Sequence, residues 1–142
     1  MIVCIDSSVL VSLYVQDANS LQAAQRMSAR PEVWLTSLNQ SGLAHAVFRY
    51  AFRGAISEFE ARAAWQRFER DCANGTWTFT GFPDVAWTRT IELARKHGPS
   101  FGMRTLDSLH VACALELRAD RFWTFDERQA RLAEAAGLDT RA

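Results

Sequence analysis

The sequence predicts an α/β fold, a mostly parallel sheet layered between helices, and three observations predict it. Short apolar runs alternate with helix-patterned segments along most of the chain, the order that right-handed strand–helix–strand crossovers require. Two of these runs, Ile2-Val3-Cys4-Ile5 and Arg121-Phe122-Trp123-Thr124-Phe125, read as strands buried on both faces. Each is followed by an aspartate, Asp6 and Asp126, which parallel topology brings to the same edge of the sheet. Open α/β sheets place their ligand sites at that edge.

At 142 residues, with 49% apolar and 23% charged residues, the chain is expected to form one domain, residues 1–142, around a substantial core. Its net charge is zero, so no global basic field advertises a nucleic-acid partner; a polynucleotide substrate requires a local patch or a metal ion. Fifteen arginines against one lysine suit phosphate recognition, but biased codon usage explains such a skew equally well. Cys4, Cys72 and Cys113 are far apart with no C-x-x-C pair, the pattern of buried thiols in a reducing compartment. There is no signal-peptide pattern and no apolar run near the roughly 20 residues that a membrane span needs. The expected location is the cytoplasm, with no membrane partner.

The elements follow in order. After Asp6, Ser8 to Val15 reads as a short helix, and Ser20 to Ala29 as a second with Leu21, Ala24 and Met27 on one face. Val33 to Thr36 is a short strand. A helix then runs from about Leu38 to Arg53, with Gly42 in its interior at a cost of roughly 0.5–1 kcal/mol relative to alanine. Ser57-Glu58-Phe59-Glu60 is a capping box, and its helix buries Phe59, Ala61, Trp65, Phe68 and Cys72. Thr76 to Thr80 alternates as a strand. Asp84 to His97 is a helix with Trp87, Ile91 and Ala94 on one face, and Gly98 to Gly102 is a loop rich in helix breakers. A strongly apolar helix, Asp107 to Arg118, precedes the Arg121–Phe125 strand. The last helix, Glu127 to Ala136, stops at Gly137. Leu138 to Ala142 is a candidate edge strand.

Asp107, in the first turn of its helix, is positioned to face Asp6 and Asp126. Carboxylates held together repel one another, and a hard oxygen-seeking cation such as magnesium or manganese neutralises them. One or two such ions can activate water for phosphodiester hydrolysis. Each acid also has a plainer reading: Asp6 and Asp126 as helix N-caps, and Asp107 as a first-turn acid facing the helix dipole. His110, one turn past Asp107, reads as a packing or hydrogen-bonding residue. The five tryptophans read as core or interface residues, and Arg104 as either a phosphate contact or a solvated side chain.

Asp6-Ser7-Ser8 after an apolar strand, Arg104-Thr105-Leu106-Asp107-Ser108-Leu109-His110 leading an alanine-rich helix, and Phe122-Trp123-Thr124-Phe125-Asp126 together resemble the PIN-domain family. More closely they resemble VapC-type toxins of bacterial toxin–antitoxin pairs, and the resemblance covers nearly the whole chain. It implies a three-layer α/β/α sandwich and an endoribonuclease dependent on Mg²⁺ or Mn²⁺. It also implies a homodimer held inactive by a cognate VapB-type antitoxin. By position, Asp6, Asp107 and Asp126 match metal-site acids, and Ser8 and Thr124 match hydroxyls that support them.

The family also has a glutamate in the helix after the second strand, where this chain has Gly42. Glycine cannot coordinate metal, and losing even outer support of a metal site costs about 10–100-fold in affinity or activity. No nearby acid substitutes, and His45, at i+3 from Gly42, is a poor magnesium ligand. An engineered inactivation, a natural loss and a site that works with three acids are the three readings of Gly42. Two rival functions follow. One is a catalytically silent module that binds antitoxin or RNA. The other is a phosphoryl-transfer domain with Asp6 as acceptor, which Ser8 and the solitary Lys96 disfavour.

Overall fold

The computed structural model describes all residues, 1–142. The chain runs β1 (Ile2–Ile5), α1 (Ser7–Tyr14), α2 (Ser20–Ser28), β2 (Glu32–Leu35), α3 (Ser37–Phe52), α4 (Glu58–Ala73), β3 (Thr78–Phe79), α5 (Val85–Phe101), α6 (Thr105–Glu116), β4 (Arg121–Trp123) and α7 (Glu127–Ala135). The four strands form one sheet in the order β3-β2-β1-β4, and every pairing is parallel. A single bridge from Arg121 to Asp139 lets the tail flank β4.

Strand alternation divides the core into two layers. Val3 and Ile5 of β1, with Val33 and Leu35 of β2, point into a cluster completed by α1, α3 and α4. Cys4 and Phe122 point the other way, into a cluster completed by α5, α6 and α7. Period-two alternation in a sheet covered on both faces therefore yields the α/β/α sandwich, and it explains why β1 is apolar throughout. Phe122 and Phe68 are fully buried on opposite sides of the sheet; truncating either to alanine costs about 3–5 kcal/mol.

Several helices turn a different face inward from the one their apolar spacing suggests. On α2 the buried residue is Ala23, while Leu21 is 73% exposed. On α4 Phe59 lies in solvent, with Ala61, Ala64 and Phe68 inside. On α5 Ala86, Thr90 and Leu93 are buried, leaving Trp87 and Ile91 more than half exposed. The reason is common to them: small residues let a helix pack close to its neighbour, as α5 does on alanine-rich α6, and the bulky stripe turns outward.

Helix α5 also continues through Gly98-Pro99 instead of breaking there. Proline removes one N–H, but so near the helix end only a single carbonyl loses its partner. Gly102, with φ of 59°, terminates the helix by donating its N–H to the Gly98 carbonyl. At the edges, β3 shrinks to two exposed residues, and β4 stops at Trp123, three residues short of Asp126. No helix is long and apolar enough to cross a membrane.

Candidate functional site

In the strand order, β2 and β3 lie on one side of β1 and β4 on the other, so the connections reverse direction at β1. Such a switch point opens a crevice beyond the carboxyl ends of the strands. Asp6 follows β1 there, its N–H donated to the Trp123 carbonyl of β4 (3.2 Å). Asp107 enters from the first turn of α6, and Asp126 from the start of α7. All three carboxylates line one cleft of about 340 Å³, together with Ser7, Ser8, Arg49 and Arg53.

Asp6 is 6% exposed. Its Oδ1 accepts from Ser8 Oγ (2.7 Å) and from the Val9 N–H (3.2 Å), so it caps α1 as well as facing the cleft. Thr124 Oγ1 lies 3.0 Å from Asp6 Oδ2 and 2.7 Å from Gln129 Oε1. One hydroxyl proton serves only one of these acceptors. The Gln129 side chain cannot relieve the conflict by turning over, because its Nε2 donates to the Asp107 carbonyl (3.0 Å). Burial pushes the Asp6 carboxyl up to about 6, against the pull of its hydrogen bonds. A protonated Asp6 that donates to Thr124, which then donates to Gln129, satisfies every group.

Asp107 is raised too, chiefly by desolvation and then by Asp126, and Arg104 (Nε to Oδ2, 3.7 Å) opposes the rise. Asp126 is exposed, and its Oδ1 accepts the Gln129 N–H as the N-cap of α7. The capping and site readings thus coexist at Asp6 and Asp126. Ser8 and Thr124 contact Asp6 directly, while Arg104 is 91% exposed beside Asp107.

Gly42 lines an adjoining cleft of about 540 Å³ that also includes Asp6, Asp107, His110 and Arg104. Helix α3 passes so close to α1 here that Ser7 Oγ occupies the space a side chain at 42 would need. The same Ser7 Oγ is 3.4 Å from His110 Nε2. Burial lowers His110 to about 4, leaving a neutral imidazole in the wall of the cleft. His45 spends Nδ1 on the Ser41 carbonyl of its own helix (2.9 Å).

The donor chemistry suits a hard divalent cation. Asp6 is a buried carboxylate with no ion-pair partner, and Ser8, Thr124, Asp107 and Asp126 near it offer oxygen ligands. The expected convergence on one ion is only partly met: no three acidic, histidine or cysteine side chains approach closely enough to enclose a metal. Asp6 and Asp126 are turned toward their capping bonds, and Asp107 toward Arg104.

Four contributing residues are not legible in the sequence as site residues. Asn39 is buried beneath the site, accepting the Thr36 N–H and donating Nδ2 to the Ile5 carbonyl (both 2.9 Å). Thr36-x-x-Asn39 was the available signal, a variant of the capping box. Gln129, wholly buried, links α7 to Asp107 and Thr124. Arg49 and Arg53 line the cleft from α3, which no spacing in the sequence reveals.

The PIN domain family model matches residues 3–135. A comparison with curated proteins finds no sequence match. Among solved structures, similarity extends to Mycobacterium tuberculosis VapC20, described as a sarcin-ricin loop cleaving toxin, with a TM-score of 0.69 at 15% identity, covering 96% of this chain and 95% of that one. VapBC2 from Rickettsia felis, bound to a DNA fragment from its promoter, gives 0.67 at 13% identity over 99% of this chain and 98% of that one. FitAcB from Neisseria gonorrhoeae gives 0.73 at 12% identity over 99% and 96%. At these identities the likeness is one of fold.

Proposed function

This chain belongs to the PIN-domain family, and we propose that it is the endoribonuclease toxin of a toxin–antitoxin pair, dependent on Mg²⁺ or Mn²⁺. The observation that carries the reading is the meeting of Asp6, Asp107 and Asp126, from three separate elements, in one cleft at the switch point of the sheet. These three would hold the cation, which when bound supplies charge neutralisation at the phosphate and a more acidic water. Ser8 and Thr124 orient Asp6, and Gln129 ties Asp107 to the same network. Burial makes the ionised Asp6 carboxylate costly, and a bound cation would offset that cost. A VapB-type antitoxin is the proposed protein partner, a homodimer the proposed assembly, the cytoplasm the proposed location, and 1–142 a single domain.

Gly42 favours a second reading, a catalytically silent PIN module that binds antitoxin or RNA without cutting. The test is cleavage of a structured-RNA panel with Mg²⁺ or Mn²⁺ and chelator controls, comparing the chain with its Gly42→Glu variant. Metal-dependent cutting by either protein establishes the ribonuclease scaffold. Cutting by the variant alone assigns the silence to Gly42. Failure of both, with folding, metal binding and RNA binding retained, favours the silent module.

A further inference from the structure

A chain with no net charge that handles RNA needs a local basic surface, and the cleft has one on each side of its acids. Arg49, in the last turn of α3, and Arg53, at its C-cap, stand about one turn apart, and both line the cleft of Asp6, Asp107 and Asp126. Arg104 and Arg128 flank Asp107 and Asp126 from α6 and α7, in the opposite layer of the sandwich. Arg49 and Arg104 meet as walls of a single cleft over Asp6 and Asp107.

Arg49 and Arg53 are both exposed and neither enters an ion pair, whereas Arg104 pairs with Asp107 at 3.7 Å. Asp17, a further carboxylate lining this cleft, is occupied by Ser12 Oγ, the Asn19 N–H and Ser20 Oγ. An exposed arginine with no ion pair draws little stability from its charge. Arg49 and Arg53 do offset the repulsion that the three carboxylates exert on a polyanion.

We propose that Arg49 and Arg53 are backbone-gripping residues that, with Arg104 and Arg128 across the cleft, hold the phosphates of a single-stranded RNA on either side of the acidic floor. The arrangement fits a chain of phosphates better than one anion, because the arginines come from elements on both sides of the carboxylates. Phosphate contacts of this kind fix register and carry no sequence information. The inference rests on the ribonuclease reading for its substrate, but concerns binding and not cleavage.

The experiment is fluorescence anisotropy of a labelled short single-stranded RNA, with EDTA to prevent cutting, over a range of KCl. Variants are Arg49→Gln with Arg53→Gln, the same pair as lysine, and Arg62→Gln, a control at an exposed arginine paired with Glu58 on α4. The glutamine pair is expected to flatten the slope of log affinity against log salt by about 1.4, two contacts at about 0.7 each, and to raise KM in cleavage assays. The lysine pair retains the slope, and Arg62→Gln matches the parent.

An unchanged slope and KM in the glutamine pair, with the parent cutting RNA, overturns the grip and leaves the ribonuclease reading standing. A flattened slope when neither parent nor Gly42→Glu cuts supports the grip and removes the catalytic reading. No RNA binding by the parent overturns it as well.

Discussion

A β-carbon on Gly42 would stand 2.4 Å from the Ser7 hydroxyl oxygen, so α3 meets the first turn of α1 with no room between them. The glycine is therefore more than an absent ligand: its missing side chain lets Ser7 sit within 3.4 Å of His110 Nε2. A glutamate at 42 displaces that hydroxyl. The obstruction is the tip of a mobile side chain, and alanine at 42 removes a helix-interior glycine, a gain of roughly 0.5–1 kcal/mol. Gly42→Ala is expected to stay within about 1 kcal/mol of the parent in urea unfolding, and to gain stability when combined with Ser7→Ala. In cleavage assays, Gly42→Glu with Ser7→Ala is expected to exceed Gly42→Glu alone. Equal activity of the two would mean that Ser7 yields without cost.

What the sequence disclosed and what it hid separate along one physical line. The placement of Asp6, Asp107 and Asp126 at one edge was legible because strand-to-helix junctions and first turns are local patterns, which parallel topology carries to the same end of the sheet. Trp87, Ile91, Leu21 and Phe59 were misread because an apolar stripe does not disclose that a neighbouring helix needs small residues opposite it. Gln129 and Arg49 were invisible for a related reason: each acquires its role from partners distant in sequence, Asp107 for one and the Asp6 cleft for the other.

Asp6→Asn is expected to stabilise the protein while abolishing metal-dependent cleavage. Burial holds the Asp6 carboxyl at about 6 against 3.8 when unhindered, so its ionised form opposes folding at neutral pH by at most about 3 kcal/mol. The amide reproduces the protonated arrangement, donating to Thr124 Oγ1, which is then free to donate to Gln129 Oε1. Urea unfolding in EDTA at pH 7.5 measures the gain. A large loss of stability would show that ionised Asp6 holds the fold together.

The pH dependence of stability contains two opposed contributions. Native Asp6 binds its proton more tightly than the unfolded chain does, so its contribution to stability grows as pH falls through 6 toward 3.8. Native His110 binds its proton less tightly, so its contribution is lost as pH falls from 6.5 toward 4. The two nearly cancel in the parent. In EDTA, His110→Gln is expected to become more stable between pH 6.5 and 4.5, and Asp6→Asn less stable over the same interval. Identical pH profiles for parent and variants would remove both buried groups from the explanation.

Gln129→Ala removes the partner of the Asp107 carbonyl and of Thr124 Oγ1 from a fully buried position. Thr124 can turn its proton to Asp6, but the loss of the bond to the Asp107 carbonyl from a buried position costs about 1–3 kcal/mol, so the thermal midpoint should fall by several degrees. The α6–α7 junction that places Asp107 beside Asp126 loosens with it, and cleavage should fall further than stability alone explains. Gln129→Glu, which keeps the shape but adds a charge beside Asp6, is expected to be worse on both counts.

Isothermal titration of Mn²⁺ into the parent and into Asp6→Asn, Asp107→Asn and Asp126→Asn tests most directly whether the three carboxylates act as one cation site. Binding by the parent, weakened at least about tenfold by every single substitution, is the expected result. Binding that one or two of the substitutions leave untouched would contradict a shared site, and would return those aspartates to helix capping alone.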